Sequence, residues 1–330
     1  PSHGRTDFQT GSGDVDQPFG LQNNQRRHGS DLSQFFKVSN EGNVMADLFT
    51  TISQVKPAMR PAQKKVADFV LKNPEKAAGS TIAELSKAVG ISTASVVRFC
   101  EDIEFSSFTA FRLAVSVASE QRRVARETFS IDRDEIDPND SMQEVVAKTV
   151  FHEVEAIQQT GSNLDLKTLE EVVSLITKAK RIELFGLGSS SLATQDLRQK
   201  LHRIGLFAFD SPDNHQAMTS SALMNPGDVG IVFSHSGVTP ETLEVLKIMN
   251  RSGAKTVAVT NFPESAISKS ADFRLTTVAK ETRYRSGAMS SRIAQLALVD
   301  FLFVRIMQLR LESAELLLQR TYEAVRGDRI

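Results

Sequence analysis

Five short β-rich runs lie between residues 181 and 277: RIELFGL (181–187), LFAFD (206–210), DVGIVFS (228–234), KTVAVTN (255–261) and FRLTT (273–277). Segments of helical length separate the first four, and the shorter FPESAISKSAD leads to the last. A helix between two strands carries the chain back across the sheet, so strands joined in this way run parallel. Strand and helix alternating at this spacing predict a doubly wound parallel sheet of five strands, an α/β fold.

Nothing of that grammar precedes residue 181. Residues 1–44 are rich in Gly, Ser, Asn, Gln and Asp with few aliphatics, too little apolar surface to offset the entropy of ordering. They read as a disordered tail, and Met45 lies near the start of the folded part. Residues 45–126 carry only helical patterns. In PAQKKVADFVLKNP, Val66, Phe69 and Val70 share a face and Pro74 stops the helix. In STIAELSKAVGISTASVVRFCEDIEF, Thr81 and Glu84 fit a capping box, and Ile82, Leu85 and Val89 make an apolar stripe that Gly90 ends. Ser92 caps a second helix with Val96, Phe99, Cys100 and Ile103 on one side. The acidic ETFSIDRDEIDPND marks a linker at 127–140. Residues 141–330 then form the second domain, with long helical patterns at 141–160 and about 290–311 and a charged tail.

At 330 residues, two domains and a tail suit the length. The net charge of −1 hides a division: residues 45–126 hold 12 Lys+Arg against 8 Asp+Glu, and residues 127–330 hold 23 against 27. A basic part joined to an acidic part fits a nucleic-acid reader with a separate control domain. Cys100 is the single cysteine, which excludes an internal disulfide and a Cys-rich metal site. Its place on the apolar face makes it a core residue, with redox sensing as the alternative. No apolar run is long enough to span a bilayer and no signal peptide is legible, so the expected location is the cytoplasm, away from any membrane. No cofactor or metal is expected.

Two short helices joined by GIS have the form of a helix-turn-helix. On the second helix Ser95 and Arg98 point away from the apolar side and Thr93 sits in the first turn, where recognition helices meet base edges and phosphates. A small helical bundle without DNA contact is the plainer alternative, and Glu101 and Asp102 on or beside the exposed side favour it.

In an open parallel sheet, ligands bind beyond the carboxyl ends of the strands. GLGSSS (186–191) follows the first run and SHSGVT (234–239) follows the third, so both lie on that edge. Free N–H groups and the helix dipole favour an anion there, and small hydroxyls add donors without blocking it. Uncharged Ser and Thr suit a reversibly held phosphate more than a metal. Pro240 fits a first helical turn, with Thr239 as its N-cap. The plainer alternative is that these hydroxyls only cap helices. Gly186, Gly188 and Asp210 imitate a dinucleotide fingerprint, but Ser191 stands where the third glycine belongs.

The span 45–310 resembles the RpiR family of bacterial transcription regulators. IAELSKAVGISTASVVRFCEDIEF, IELFGLGSSSLATQDLRQKLHRIG, DVGIVFSHSGVTPETLEVLK and SGAMSSRIAQLALVDFLF carry the resemblance, in that order. It implies an N-terminal helix-turn-helix domain followed by a sugar isomerase (SIS) domain that senses phosphosugars. Ser234, Ser236 and Thr239 would hold the phosphate with His235 beside it, and Ser189 and Ser190 would reach sugar or phosphate from the first loop. Ser95 and Arg98, with Ser92 and Thr93 at the helix start, would face operator DNA. Glu104 departs from the pattern, since the family usually has Gly before Phe105, and a left-handed turn there is strained or rebuilt.

The rival is a phosphosugar isomerase or related SIS-fold enzyme, which needs a general base. Glu281, His215 and His235 are candidates, each with a duller role: Glu281 on a sugar hydroxyl, His215 on a loop, His235 orienting the phosphate loop. An enzyme has no use for a DNA-reading helix, so the reading is a non-enzymatic regulator. Its partners are a phosphosugar effector and a palindromic operator bound by a homodimer or homotetramer, with the helices at 141–160 and 290–311 as interface.

Overall fold

The computed structural model describes residues 48–133, 135–281 and 288–326. The tail at 1–44 and the start near Met45 lie outside them. The described residues form one compact unit.

Six helices come first: α1 (Leu48–Val55), α2 (Pro61–Lys72), α3 (Pro74–Gly79), α4 (Ile82–Val89), α5 (Thr93–Asp102) and α6 (Phe108–Thr128). Their apolar faces meet in a core that includes Ile52, Val66, Val70, Leu85, Val96, Phe99 and Phe111, all nearly fully buried. Phe111 anchors it, edge-on to Phe99 at 5.5 Å and to Phe105 at 5.6 Å. Cys100 is buried in the same core, and burial pushes its thiol up to about 12. A thiol so far above neutral pH is an inert packing group, not a sensor.

The turn between α4 and α5 forms as its residues predict. Thr81 Oγ1 accepts from Glu84 N–H while the Glu84 carboxylate accepts from Thr81 N–H, a reciprocal cap. Gly90 ends α4 at φ 71°, with Ile91 N–H donating to Ser86 C=O. The end of α5 is built alike with a less suitable residue. Phe105 N–H donates to Cys100 C=O at 2.9 Å and Glu104 N–H to Glu101 C=O at 3.0 Å, which puts Glu104 at φ 65°. The left-handed turn expected from the family pattern is therefore kept, and Glu104 carries its strain.

Residues 129–133 and 135–140, on the way to α7 (Met142–Ser162), carry no helix or strand. They are pinned by Lys148, whose ammonium lies buried on α7 and donates to the Asp140 carboxylate at 2.6 Å and to Glu135 C=O at 2.9 Å. Then follow α8 (Leu166–Lys178), β1 (Ile182–Gly186), α9 (Ser189–Arg203), β2 (Ala208–Asp210), α10 (Asn214–Ala222), β3 (Val229–Phe233), α11 (Pro240–Arg251), β4 (Lys255–Thr260), α12 (Ala266–Ser270), β5 (Phe273–Thr276) and α13 (Met289–Leu309). The chain expected to close in a charged tail instead forms α14 (Leu311–Arg326), which buries Ala314 against the larger core.

All five strands run parallel in the order β2-β1-β3-β4-β5. Alternation along the strands divides the core. Ile182, Leu184, Ile231, Phe233, Val257 and Val259 face α8, α9 and α13, whereas Phe185, Val232 and Ala258 face α10, α11 and α12. Helices thus cover both faces, the doubly wound arrangement the strand spacing predicts.

The two left-handed turns of the helical part set a paired test. A Cβ on Gly90 would meet nothing within 4 Å, so Gly90→Ala is expected to destabilise by about 1–2 kcal/mol from backbone conformation alone. Glu104→Gly should stabilise by up to about 1 kcal/mol, since glycine's extra unfolded-state entropy offsets part of the relief. Urea unfolding midpoints of the two variants measure both. A loss of stability in Glu104→Gly would show that its side chain, not its backbone, governs the turn.

Candidate functional site

In the observed order the sheet changes direction between β1 and β3, because β1 leads left to β2 and β3 leads right to β4. The loops leaving these two strands are the serine loops. They enclose a cleft of about 160 Å³ lined by Ser189, Ser190, Ser234, His235, Ser236 and Thr239, with Ala288 just before α13 and Ser291 and Gln295 on it. Three helices begin here: α9 at Ser189, α11 after Thr239, and α13 after Ala288. Their dipoles make the cleft favourable for negative charge.

The 234–239 loop is held by the chain beyond β4. Asn261 N–H and Thr260 Oγ1 both donate to His235 C=O, at 3.1 and 3.2 Å, and Ile267 N–H donates to Gly237 C=O at 3.0 Å. Gly237 has φ 66°, and a Cβ there would fall 2.0 Å from Ser265 Oγ. Only glycine fits so close an approach. Within the loop Ser234 Oγ is 3.0 Å from Thr239 Oγ1 and accepts from Gly237 N–H at 3.2 Å. Thr239 occupies the N-cap position of α11, but its side chain makes no capping bond. Its hydroxyl turns to Ser234 instead, so the expected cap is a contact within the loop. His235 stacks edge-on to Phe262 at 5.8 Å.

From the other loop, Ser190 is buried and its Oγ accepts from Gln295 Nε2 at 3.2 Å. Gln295 and Ser291 are buried in the same place and were not singled out by sequence reasoning. Two signals pointed to them: a serine pair at the start of an apolar helix, and an amide set among apolar residues two turns in. Glu281 does not line the serine cleft. It lies at the adjoining cavity, where its carboxylate accepts from Ser291 N–H at 2.9 Å and so holds the first turn of α13. His215 is exposed on the first turn of α10 rather than on a loop. Among the described residues no group of His, Cys, Asp and Glu could hold a metal ion.

The residues that imitate a dinucleotide fingerprint have partners within the fold. Asp210 forms an ion pair with Arg198 of α9, and Ser191 Oγ donates to Gly188 C=O at 2.7 Å.

The second candidate surface is α5. Ser92 caps it, its Oγ accepting from Ser95 N–H at 3.2 Å and lying 3.0 Å from Ser95 Oγ. Thr93 and Arg98 are exposed and Ser95 is half-buried, while Val96, Phe99 and Cys100 face inward. Asp102, which seemed ill placed beside DNA, accepts a hydrogen bond from the buried Gln63 side chain. Its carboxylate serves to hold α5 on α2. No helix among the described residues is long and apolar enough to cross a membrane.

Comparisons with known proteins agree with both parts. Residues 46–122 match the rpiR-family helix-turn-helix domain and residues 175–305 match the SIS domain. An HTH-type transcriptional regulator of Haemophilus influenzae is 32% identical over 89% of this chain and 100% of its own length. The HTH-type regulator YbbH of Bacillus subtilis is 32% identical over 84% of this chain and 97% of its own. Among solved structures, the Vibrio vulnificus NanR protein complexed with ManNAc-6P superposes with a TM-score of 0.54 at 25% identity, covering 84% of this chain and 98% of NanR. The sugar isomerase domain of a Sphaerobacter thermophilus RpiR transcription factor superposes with a TM-score of 0.51 over 55% of this chain and 99% of its own.

The site geometry generates one stability test. Gly237→Ala must move either Ser265 or the loop, and overpacking with a left-handed alanine is expected to cost about 2–4 kcal/mol. Thermal unfolding checks this; a variant as stable as the parent would mean that the 234–239 loop is not packed against Ser265 as described. The chain belongs to the rpiR family of HTH-type transcriptional regulators, with a helix-turn-helix reader followed by an SIS domain.

Proposed function

We propose that this regulator binds operator DNA through α5 and that a phosphosugar held between the serine loops sets its affinity. The observation that carries the reading is the convergence of three helix N-termini and six hydroxyls on one cleft at the sheet's switch point. Such a place favours a phosphate dianion without a metal. Ser236, Ser234 and Thr239 hold it from one loop, Ser189 and Ser190 from the other, and His235 orients the loop. The Vibrio vulnificus neighbour is complexed with ManNAc-6P, which makes that compound the first to test.

The protein acts without chemistry on the sugar. An isomerase needs a general base, and Glu281 is engaged with the α13 backbone. The homologues named as transcriptional regulators favour the same reading. On DNA, Thr93, Ser95 and Arg98 face base edges or phosphates, with Ser92 capping the helix that presents them. One helix reads one half-site, so a palindrome requires a second copy. Exposed Met142, Val146 and Val150 form a stripe at four-residue spacing on α7 that suits a homodimer or homotetramer interface. α13, the other expected contributor, is largely buried against α7, α9 and the sheet. The site of action is the cytoplasm, where operator and metabolite meet.

A thermal-shift series with ManNAc-6P, other sugar phosphates and the matching free sugars tests the sensor, since a ligand of the folded state raises its midpoint. Stabilisation by phosphorylated members alone is expected. In Ser236→Ala or Thr239→Ala, affinity should fall about tenfold or more, the effect of losing a bond to a charged group at about 1.5–3 kcal/mol. Equal loss for phosphorylated and free sugar would assign these hydroxyls to structure instead. For the reader, Arg98→Ala should weaken operator binding by about 1–3 kcal/mol with the fold intact. Gel-shift titration measures it, and undiminished affinity would remove Arg98 from the interface.

A further inference from the structure

A second cavity adjoins the serine cleft. It measures about 630 Å³ and opens between the helical part and the carboxyl edge of the sheet. His235 and Ser236 line both spaces. The cleft alone, at about 160 Å³, is smaller than sites that enclose small molecules, which run from about 300 to 1,000 Å³. It has room for a phosphate group and little more. The two spaces together fall inside that range.

Across the larger cavity, facing the serine loops, stand residues of the helical part and of α7. Gln54 comes from α1 and Gln159 from α7, with Asn261 and Lys280 from the sheet side. Amides offer both donors and acceptors, which is what the hydroxyls of a sugar require. Phe262 and Val278 add apolar surface for a sugar's C–H face.

The strap 277–281 lines the larger cavity through Val278, Ala279, Lys280 and Glu281, and several elements hold it. Gln54 Nε2 donates to Thr277 C=O at 3.3 Å, and Thr160 Oγ1 accepts from Val278 N–H at 3.0 Å. Ala279 N–H donates to Asn261 Oδ1 at 2.7 Å, and Glu281 accepts from Ser291 N–H. The strap thus ties α1 to the first turn of α13 inside the serine cleft.

We infer that the effector site is this composite: the phosphate lies in the serine cleft, and the hydroxylated body of the sugar projects into the cavity, where Gln54 and Gln159 read it. The proposal rests on the phosphosugar reading above and extends it to the helical part. A ligand that touches both parts binds one relative placement of them better than another, which is the condition for shifting an equilibrium. Contact with α1 and α7 makes the helical part a sensor of ligand identity as well as a reader of DNA.

The test is calorimetric titration of the full chain with inorganic phosphate and with a panel of hexose 6-phosphates, in the parent, Gln54→Ala and Gln159→Ala proteins. Gln159→Ala leaves the strap's hydrogen bonds in place, and thermal midpoints of both variants check folding. For the tightest hexose phosphate, affinity should fall about three- to tenfold in either variant, as expected for one hydrogen bond to a neutral group. Phosphate affinity should stay at the parent value. Unchanged sugar phosphate binding in both variants overturns the composite site, as does an equal loss for phosphate. Failure of the parent to bind any panel member or phosphate overturns the phosphosugar reading and this extension together.

Discussion

The site depends on one topological fact: β1 and β3 are neighbours in the sheet but not in the chain. The helix after β1 must return to one face and the helix after β3 to the other, so their first turns part and leave a gap at the carboxyl edge. Alternation in β1 and β3 makes this possible, with Ile182, Leu184, Ile231 and Phe233 buried on one side and Phe185 and Val232 on the other. α13 then closes the gap from a third direction and brings Ser291 and Gln295 to it. Small hydroxylated residues at that point keep the space open and supply donors around a positive dipole field.

The helical part meets this arrangement through polar groups, among them Arg122, which pairs with Glu155 of α7. Gln54 meets the strap after β5, and Lys148 fastens the crossing chain to α7 through Asp140 and Glu135 C=O. An interface with a cavity of about 630 Å³ in it is incompletely packed, and interior space of that kind leaves alternative placements accessible. A sensor needs such a boundary. A fully packed junction would hold the reader in one position whatever the ligand did.

Much of the local structure was legible in the residues. The capping pair Thr81 and Glu84, Gly90 after α4, Ser92 before α5 and the five strands all stand where pattern placed them, because each answers to neighbours a few positions away. Glu104 was legible as an anomaly, and its positive φ bears that out. What escaped depends on distant partners. Thr239 was expected to cap α11, yet Ser234 is near enough to take its hydroxyl. Glu281 was expected at a sugar hydroxyl, and from the larger cavity its carboxylate also holds the first turn of α13. Gln295 meets Ser190 across 105 positions of chain, a separation no periodicity reports. The last segment read as a charged tail, but Ala314 is buried and Leu318 packs against the larger core, which docks it as α14.

Occupancy of the serine cleft is proposed to change the affinity of α5 for DNA. Operator binding, titrated by fluorescence anisotropy with and without the sugar phosphate that most raises the thermal midpoint, tests it directly. Coupling free energies of about 1–3 kcal/mol are typical, so operator affinity is expected to shift between about fivefold and a hundredfold at saturating ligand. Operator DNA must change ligand affinity by the same factor. An operator affinity that stays flat while the ligand is bound would contradict the account.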